Sequence, residues 1–429
     1  MSNQTSEIKG QIKIPKSRIF EVEKNVKNLL DYKTKINEYL QSSVTESLEI
    51  ILLGAINLQA SDIHIEPEKE KAQLRIRIDG ILQSISYFDT EIYQKLVSRI
   101  KLISGLKLNI YNRPQDGRFS ILLKDLNIEI RVSALPAEYG ESIVLRILNP
   151  KSLIGLEVLG LRKELLNIIE KEIKKPNGMI VVTGPTGCGK TTTLYAFLKK
   201  IEKPEIKIIT IEDPIEYHLD NISQTQTTSE KEYNFANGLK SIMRQDPDVI
   251  LVGEIRDLET VNTALQAALT GHLVLTTLHT NSAAGVIVRL TALGAKTSNI
   301  APAINLVIAQ RLVRKICKEC KKLEKISSEE FKEFKKELSN LKIKISKDMK
   351  IPKAKGCKIC HNTGYNGRTG IFEIFLNDNE IEKFILSNPS IVDLEKIIKK
   401  KGMTTIKQDG LIKVMQGITT IKEIKRVVG

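Results

Sequence analysis

The chain is 429 residues long, enough for two or three domains that each bury a core of their own. Its formal net charge is +15, but tryptophan is absent and aromatic residues make up only 5% of the chain, so no nucleic-acid groove of interleaved basic and aromatic side chains is visible. A solvated, lysine-rich surface explains the charge, and attraction to acidic lipid headgroups or to an acidic partner is the alternative.

No run of about eighteen apolar residues occurs, and residues 1–10 lack the apolar core of a signal peptide. We therefore expect a soluble, cytoplasmic protein. Five cysteines in a chain of this size argue against a disulfide framework and direct attention to their spacing.

The first part of the chain predicts a short segment followed by an α+β domain. Residues 1–42 are rich in lysine and have no core of their own, although apolar residues between 19 and 30 recur at the spacing of an amphipathic helix. Residues 43–150 mix both element types. The predicted helices are at 48–58 and 92–102, and the predicted strands are at 63–65, 74–78, 128–132 and 143–147.

Residues 151–429 predict a larger α/β domain. After a helix at 161–173, apolar strands alternate with helices, a pattern typical of a parallel sheet covered by helices. Residues 315–362 contain a lysine- and glutamate-rich insertion, and residues 380–429 predict a helical subdomain. The predicted strands are at 179–182, 206–211, 249–252 and 273–277.

The segment that follows the first of these strands has the full phosphate-binding pattern G-x-x-x-x-G-K-[ST], with a helix behind it. Its backbone N–H groups and the helix N-terminus favour phosphate, Lys190 can reach the terminal phosphates and Thr191 can bind Mg²⁺. Cys188 is interpreted as a small packing residue without chemistry of its own. The predicted nucleotide-binding residues are Gly184, Pro185, Thr186, Gly187, Cys188, Gly189, Lys190, Thr191 and Thr192.

Acidic and histidine residues follow the other strands. Glu254 comes directly after the strand at 249–252, where an open α/β sheet binds its ligand, and can orient or deprotonate a water molecule. Glu212 and Asp213 follow another strand and precede a proline. His272 and His279 bracket the strand at 273–277, and each is a candidate for either a structural or a catalytic role.

The pairs Cys317/Cys320 and Cys357/Cys360 have the spacing C-x₂-C twice, with 36 residues between the pairs. Four thiolates at this spacing predict a structural Zn²⁺ site that closes a loop. A redox motif and plain buried thiols are the alternatives. His361 adjoins the last cysteine, but four sulfur atoms already complete a tetrahedral shell.

In this order, the motifs resemble those of one family, the hexameric secretion ATPases that drive type II secretion and type IV pilus assembly. The resemblance covers roughly residues 45–429. It rests on residues 60–67, 113–118, 184–191, 210–217, 246–257, 270–280, 310–312 and 409–411 together with the four cysteines.

The resemblance implies a RecA-like P-loop ATPase domain with a parallel-sheet core, preceded by a smaller α+β, PAS-like domain. It implies that Glu212 and Asp213 form an Asp box, that Glu254 is the Walker B glutamate, and that His272 and His279 form a His box. It further implies that two arginines of the first domain, Arg131 and Arg146, act as arginine fingers on ATP.

The same resemblance implies a homo-hexamer in which ATP hydrolysis rotates one domain against the other. Its expected partners are a polytopic inner-membrane platform protein and a cytoplasmic docking protein, which would recruit the ATPase peripherally to the inner face of the cytoplasmic membrane. The four cysteines favour the assembly and secretion branch over the pilus-retraction branch. Members of this branch usually carry a larger docking domain where about forty lysine-rich residues precede the shared region here.

Two other functions compete with the secretion motor. The basic balance suggests an ATPase for DNA uptake or translocation, although the sequence makes a nucleic-acid partner unlikely in the absence of a basic and aromatic stripe. A nucleotide-regulated scaffold without useful hydrolysis is the second alternative. Glu254 and the two candidate arginine fingers argue against it, because a scaffold needs no groups directed at transition-state charge.

Overall fold

The computed structural model describes residues 10–40, 42–123, 126–228 and 233–429, and its internal contacts divide the chain into two compact units. The first unit comprises the described residues up to Ser152 together with Cys317–Cys320 and Lys355–Asn366, and the second comprises Leu153–Ile316, Lys321–Ala354 and Gly367–Gly429. The four cysteines therefore group with the first unit, whereas the sequence assigned residues 315–362 to the larger domain.

The first unit is a seven-stranded sheet with helices, in the order β1-β5-β6-β7-β2-β3-β4. β1 runs parallel to β5, and the pairings from β5 to β4 are antiparallel. Its elements are β1 (Gln11–Lys13), α1 (Lys16–Asn25), α2 (Leu29–Tyr39), α3 (Val44–Asn57), β2 (Asp62–Pro67), β3 (Lys71–Ile78), β4 (Ile81–Asp89), α4 (Thr90–Ile103), β5 (Gln115–Leu123), β6 (Leu126–Ala137) and β7 (Gly140–Leu148).

Alternation of buried and accessible side chains along β3, β6 and β7 gives this sheet one apolar face, against which α3 and α4 pack. The N-terminal segment belongs to the same core, because Val22 and Val26 are buried with Tyr32 and Ile36. The single helix predicted there is two helices, since the side chain of Asn28 accepts hydrogen bonds from the first backbone N–H groups of α2 and starts a new helix.

The second unit is built on a seven-stranded sheet in the order β10-β9-β11-β12-β8-β13-β16, with parallel pairing from β10 through to β13. The elements of its first half are α5 (Lys163–Glu172), β8 (Gly178–Thr183), α6 (Lys190–Ile201), β9 (Ile208–Glu212), β10 (Ser223–Gln226), α7 (Phe235–Met243), β11 (Val249–Val252), α8 (Leu258–Leu269) and β12 (Leu273–Leu278). All residues of β8, β9, β11 and β12 are buried, as expected for central strands covered on both faces.

The second half adds the long strands β13 and β16, a small hairpin-like sheet of β14 and β15, and a helical C-terminal part, which was predicted for residues 380–429. Its elements are α9 (Ala284–Ala292), α10 (Thr297–Ala303), β13 (Ile304–Ile316), β14 (Lys322–Lys325), α11 (Ser328–Glu337), β15 (Lys350–Lys353), β16 (Tyr365–Leu376), α12 (Asn379–Leu386), α13 (Ile391–Lys400), α14 (Ile406–Met415) and α15 (Ile421–Val428). The alternation of strands and helices confirms the predicted parallel-sheet core.

Candidate functional site

The phosphate-loop residues connect β8 to α6 at the carboxyl-terminal edge of the parallel sheet. Gly184 has φ +151°, and a Cβ atom there would lie 2.6 Å from the Cys188 sulfur and 2.6 Å from the Gln310 carbonyl oxygen. Gly189, with φ +88°, is the N-cap residue of α6. Because both positions exclude ordinary side chains, the backbone can form the closely approaching cradle that a phosphate group needs.

Gln310 of β13 holds this loop from the neighbouring strand. Its side-chain amide donates to the Cys188 carbonyl oxygen at 2.7 Å and accepts from the Thr193 hydroxyl at 2.8 Å. Gln310 is 2% exposed and Thr193 is 1% exposed, so both hydrogen bonds are shielded from water. Burial raises the pKa of the Cys188 thiol. The Cys188 side chain therefore packs inside the loop. Gln310 contacts the backbone of Cys188 and not its sulfur.

The Lys190 side chain folds over the loop. Its ammonium group donates to the carbonyl oxygens of Gly184 at 2.9 Å and Pro185 at 3.3 Å. Burial lowers the pKa of Lys190, while the charge of Glu254 opposes that shift. Thr191 and Thr192 follow in the first turn of α6 and are partly accessible. A flexible cation, a hydroxyl group and a helix N-terminus thus meet here, and this donor set fits a nucleoside triphosphate with Mg²⁺.

Glu254 lies just beyond β11, two strands away from β8 in the same sheet. One carboxylate oxygen pairs with Arg256, and the other lies 3.6 Å from His279 Nε2. The neighbouring residue, Gly253, is fixed by its backbone: its N–H donates to the Ile211 carbonyl oxygen at 2.8 Å and its carbonyl oxygen accepts from the Thr277 hydroxyl at 2.7 Å. Glu254 is therefore held at the edge where the phosphate loop lies.

His279 follows the carboxyl-terminal end of β12, and burial together with the charge of Lys190 lowers its pKa. His272 precedes the same strand, so the six residues of β12 separate it from this edge by about 20 Å. The His272 ring nitrogen Nδ1 is hydrogen-bonded to the Ala267 carbonyl oxygen at 3.0 Å. The chain thus brings Lys190, Glu254 and His279 together but does not bring His272 to them.

The two acidic residues after β9 differ in environment. Glu212 is 3% exposed and accepts hydrogen bonds from Thr210 at 2.6 Å, from Gln224 at 3.1 Å and from Tyr195, and burial raises its pKa. Asp213 is accessible and lies 3.7 Å from the Arg256 guanidinium. Glu212 is therefore an enclosed, saturated group, whereas Asp213 is linked through Arg256 to Glu254.

In the first unit, Arg131 of β6 lies directly opposite Arg146 of β7. Arg146 Nε is 3.1 Å from Asp62 Oδ1, and its side chain is 58% exposed. Arg131 Nε is 3.6 Å from Glu129 Oε1. The two candidate fingers are thus cross-strand neighbours on the accessible face of the sheet.

The four cysteines converge, with all sulfur atoms within 4.8 Å of one another. A tetrahedral Zn²⁺ site with Zn–S bonds of about 2.3 Å requires sulfur atoms about 3.8 Å apart. The distances are 3.9 Å for Cys317–Cys357, 3.8 Å for Cys320–Cys360 and 3.6 Å for Cys357–Cys360. The donor set therefore fits zinc.

Backbone N–H groups support the sulfur atoms as hydrogen-bond donors. Gly356 donates to Cys320 at 3.3 Å and Gly364 donates to Cys360 at 3.2 Å. A hydrogen bond from the Cys360 backbone lowers the pKa of the Cys357 thiol to about 7. His361 accepts a hydrogen bond at Nδ1 from the Leu29 backbone at 3.3 Å, so this nitrogen is engaged outside the cluster.

Several site residues were not found from the sequence. Gln310 belonged to a recognised motif, but its contact with the loop spans 122 positions of the chain and leaves no local signal. Arg256 was not singled out, although it lies within the motif at 246–257. Tyr195, which donates to Glu212, lies in α6 and was not singled out from the sequence. None of the described helices is both long and apolar enough to cross a membrane.

Comparison with known proteins gives a consistent result. The family model described as "Type II/IV secretion system protein" matches residues 38–426. The chain is 42% identical to "Type II secretion system protein E" of Aeromonas hydrophila over 381 residues, which cover 89% of this chain and 74% of that protein. It is 40% identical to "Type IV pilus assembly ATPase PilB" of Thermus thermophilus over 90% of this chain and 43% of that protein.

Among solved structures, the chain resembles "Crystal Structure of the Pilus Retraction Motor PilT and Bound ADP". The TM-score is 0.59 and the sequences are 28% identical, with 88% of this chain and 95% of that chain covered. This likeness confirms the predicted RecA-like ATPase fold.

Proposed function

The chain belongs to the type II/IV secretion system protein family, and on that premise we propose that it is a Mg²⁺-dependent ATPase motor for type II secretion or type IV pilus assembly. The observation that carries the proposal is the meeting of Lys190, Glu254 and His279 at one edge of the parallel sheet. Ligands of open α/β sheets bind at this edge.

Each of these groups has a role in cleaving the terminal phosphate. Lys190 and the loop N–H groups would hold the β- and γ-phosphates, and the Thr191 hydroxyl would hold Mg²⁺, which would supply positive charge to the phosphate oxygens. Glu254 orients the attacking water and accepts its proton. His279, whose pKa is lowered by burial and by the charge of Lys190, can share a hydrogen bond with that water or with the γ-phosphate.

The acidic pair after β9 supports these groups. Asp213 sits beside Arg256, the same cation that pairs with Glu254, so it limits how strongly Arg256 neutralises the glutamate. Glu212 keeps the end of β9 in place through its three hydrogen bonds. We assign Glu212 to positioning and exclude His272 from the chemistry within one chain.

The motor function requires parts beyond one chain. We propose a homo-hexamer in which Arg131 and Arg146 reach the γ-phosphate as arginine fingers and in which hydrolysis rotates the first unit against the second. The proposed partners are an inner-membrane platform protein and a cytoplasmic docking protein, with recruitment to the inner face of the cytoplasmic membrane. The four cysteines hold a structural Zn²⁺, which closes the loop between them.

The test replaces Glu254 with Gln and measures steady-state ATP hydrolysis and nucleotide binding. We expect turnover to fall at least about a hundredfold with nucleotide binding retained, because the substitution removes the proton acceptor and keeps the size of the side chain. Glu259→Gln is the matched control: Glu259 is exposed on α8, pairs with Lys240 and should leave turnover unchanged. Retained turnover in the Glu254 variant would sink the proposal, and turnover that needs DNA would favour the translocase.

A further inference from the structure

The accessible face of the first-unit sheet carries a row of charged side chains in register across five strands. The strand pairings place Arg118 opposite Arg131, Arg131 opposite Arg146, Arg146 opposite Asp62, and Asp62 opposite Arg77. We call these five residues the arginine row. Adjacent strands are about 4.8 Å apart, so the first three arginines begin within about 10 Å of one another.

The row lies on the face away from the apolar core. The neighbours in sequence, Phe119, Ile130 and Leu145, are fully buried against the helices. Because successive side chains of a strand point to opposite faces, the arginines between them point outward. This row was not visible in the sequence, since the period-two pattern gives the face of each arginine but not the register between strands.

Carboxylates do not balance the row evenly. Asp62, whose side chain is 9% exposed, forms ion pairs with Arg146 Nε at 3.1 Å and with Arg77 Nε at 3.3 Å. Arg131 lies beside Glu129. Arg118 has no ion pair with any residue of the described ranges, and its Nη2 atom is buried without a hydrogen-bond partner there. The end of the row at Arg118 is thus an excess of positive charge with an unused donor.

Such an arrangement is unfavourable unless an anion completes it. Like charges directly opposite each other destabilise a sheet, and a buried guanidinium N–H without an acceptor adds a desolvation cost. A phosphate group supplies two oxygen acceptors at the spacing of the planar guanidinium fork, which can donate to both of them. Asp116 and Glu129 lie on the same face of the sheet, but no carboxylate of the described residues forms an ion pair with Arg118.

We propose that Arg118 is a third phosphate-binding guanidinium, acting beside Arg131 and Arg146 on the terminal phosphates of a nucleoside triphosphate. The proposal rests on the proposed ATPase function. Arg118 anchors the γ-phosphate and stabilises the charge that develops on its oxygens, while Asp62 keeps Arg146 in place by accepting a hydrogen bond from its Nε.

The experiment compares Arg118→Gln and Arg118→Lys with Arg75→Gln in the full chain. Arg75 is a matched control because it lies on the same face in β3 but pairs with Glu66. We expect Arg118→Gln to lower kcat at least about tenfold and to abolish trapping of ADP with aluminium fluoride, a mimic of the transition state. Arg118→Lys should recover part of kcat, and Arg75→Gln should stay within about threefold of the wild type.

Stability separates a phosphate role from a structural one. Removing one of several adjacent like charges should leave the melting temperature of Arg118→Gln unchanged or raise it. A lowered melting temperature, or a kcat equal to that of Arg75→Gln, would overturn the inference. Weaker binding to anionic phosphatidylglycerol vesicles with unchanged kcat would overturn it too, because the row would then serve lipid phosphates. An inactive wild-type chain would instead contradict the proposed function itself.

Discussion

The contact between Gln310 and the phosphate loop makes a testable link between packing and nucleotide binding. Replacing Gln310 with Leu keeps a similar volume and removes two buried hydrogen bonds, each of which contributes about 1 kcal/mol. It also leaves the Cys188 carbonyl oxygen without its 2.7 Å donor. The Thr193 hydroxyl can turn to a carbonyl of the preceding helical turn, so its loss is partly recovered. The expected destabilisation is therefore about 2 to 4 kcal/mol.

Scanning calorimetry measures this change as a fall in the melting temperature of the second unit by about 5 to 12 °C. The loop should also sample more conformations, so ADP affinity should weaken at least about tenfold, since the competent conformation becomes a fraction of the population. Thr193→Val is the matched control. It removes only the 2.8 Å hydrogen bond to Gln310 and leaves the loop carbonyl paired, so it should cost less than half as much stability and change ADP affinity little.

A double-mutant cycle tests the reasoning further. The two substitutions share one hydrogen bond, so their combined effect should be smaller than the sum of the separate effects. If Gln310→Leu melts within about 1 °C of the wild type and binds ADP equally well, the hydrogen bonds of Gln310 do not organise the phosphate loop. Additive effects would show that Gln310 and Thr193 act independently.

Two further predictions concern the metal and the acid stability. Purified protein should contain about one zinc ion per chain. The Cys357→Ser variant should lose the zinc, and the control variant Cys188→Ser should keep it. A zinc-free preparation of the unaltered chain would refute the site. Burial opposes ionisation of Glu423, but Arg426 and Arg314 lower its pKa to about 2 from an ordinary value of 4.5. A depressed pKa stabilises the fold above pH 4.5, so on the order of 3 kcal/mol should be lost as the pH falls from about 4.5 to about 2. Glu423→Gln should therefore be destabilised at pH 7 and should lose its difference from the wild type near pH 2 in denaturant titrations.

Sequence patterns predicted the parts of the site that are local. The phosphate loop is one continuous segment. Its glycines are required by backbone conformations with positive φ, and its lysine and threonine follow them directly in the sequence. The cysteine pairs are each local as well, and zinc chemistry predicted that the two pairs meet across their 36-residue gap. Glu254 was predicted from one strand end, because every parallel strand of such a sheet ends at the same edge.

The parts that escaped prediction depend on register or on distant strands. In the sequence, His272 and His279 looked equivalent because both lie beside one strand. They lie at opposite ends of β12, and only the carboxyl-terminal end, where His279 lies, is at the phosphate-loop edge of the same chain. Gln310 acts across 122 positions of the chain. Arg118 lies opposite Arg131 only because β5 and β6 pair in that register, and a shift by one residue would turn its side chain into the core. Strand register therefore decides which of the chain's many cations lie side by side on one face of the sheet, and composition cannot supply it.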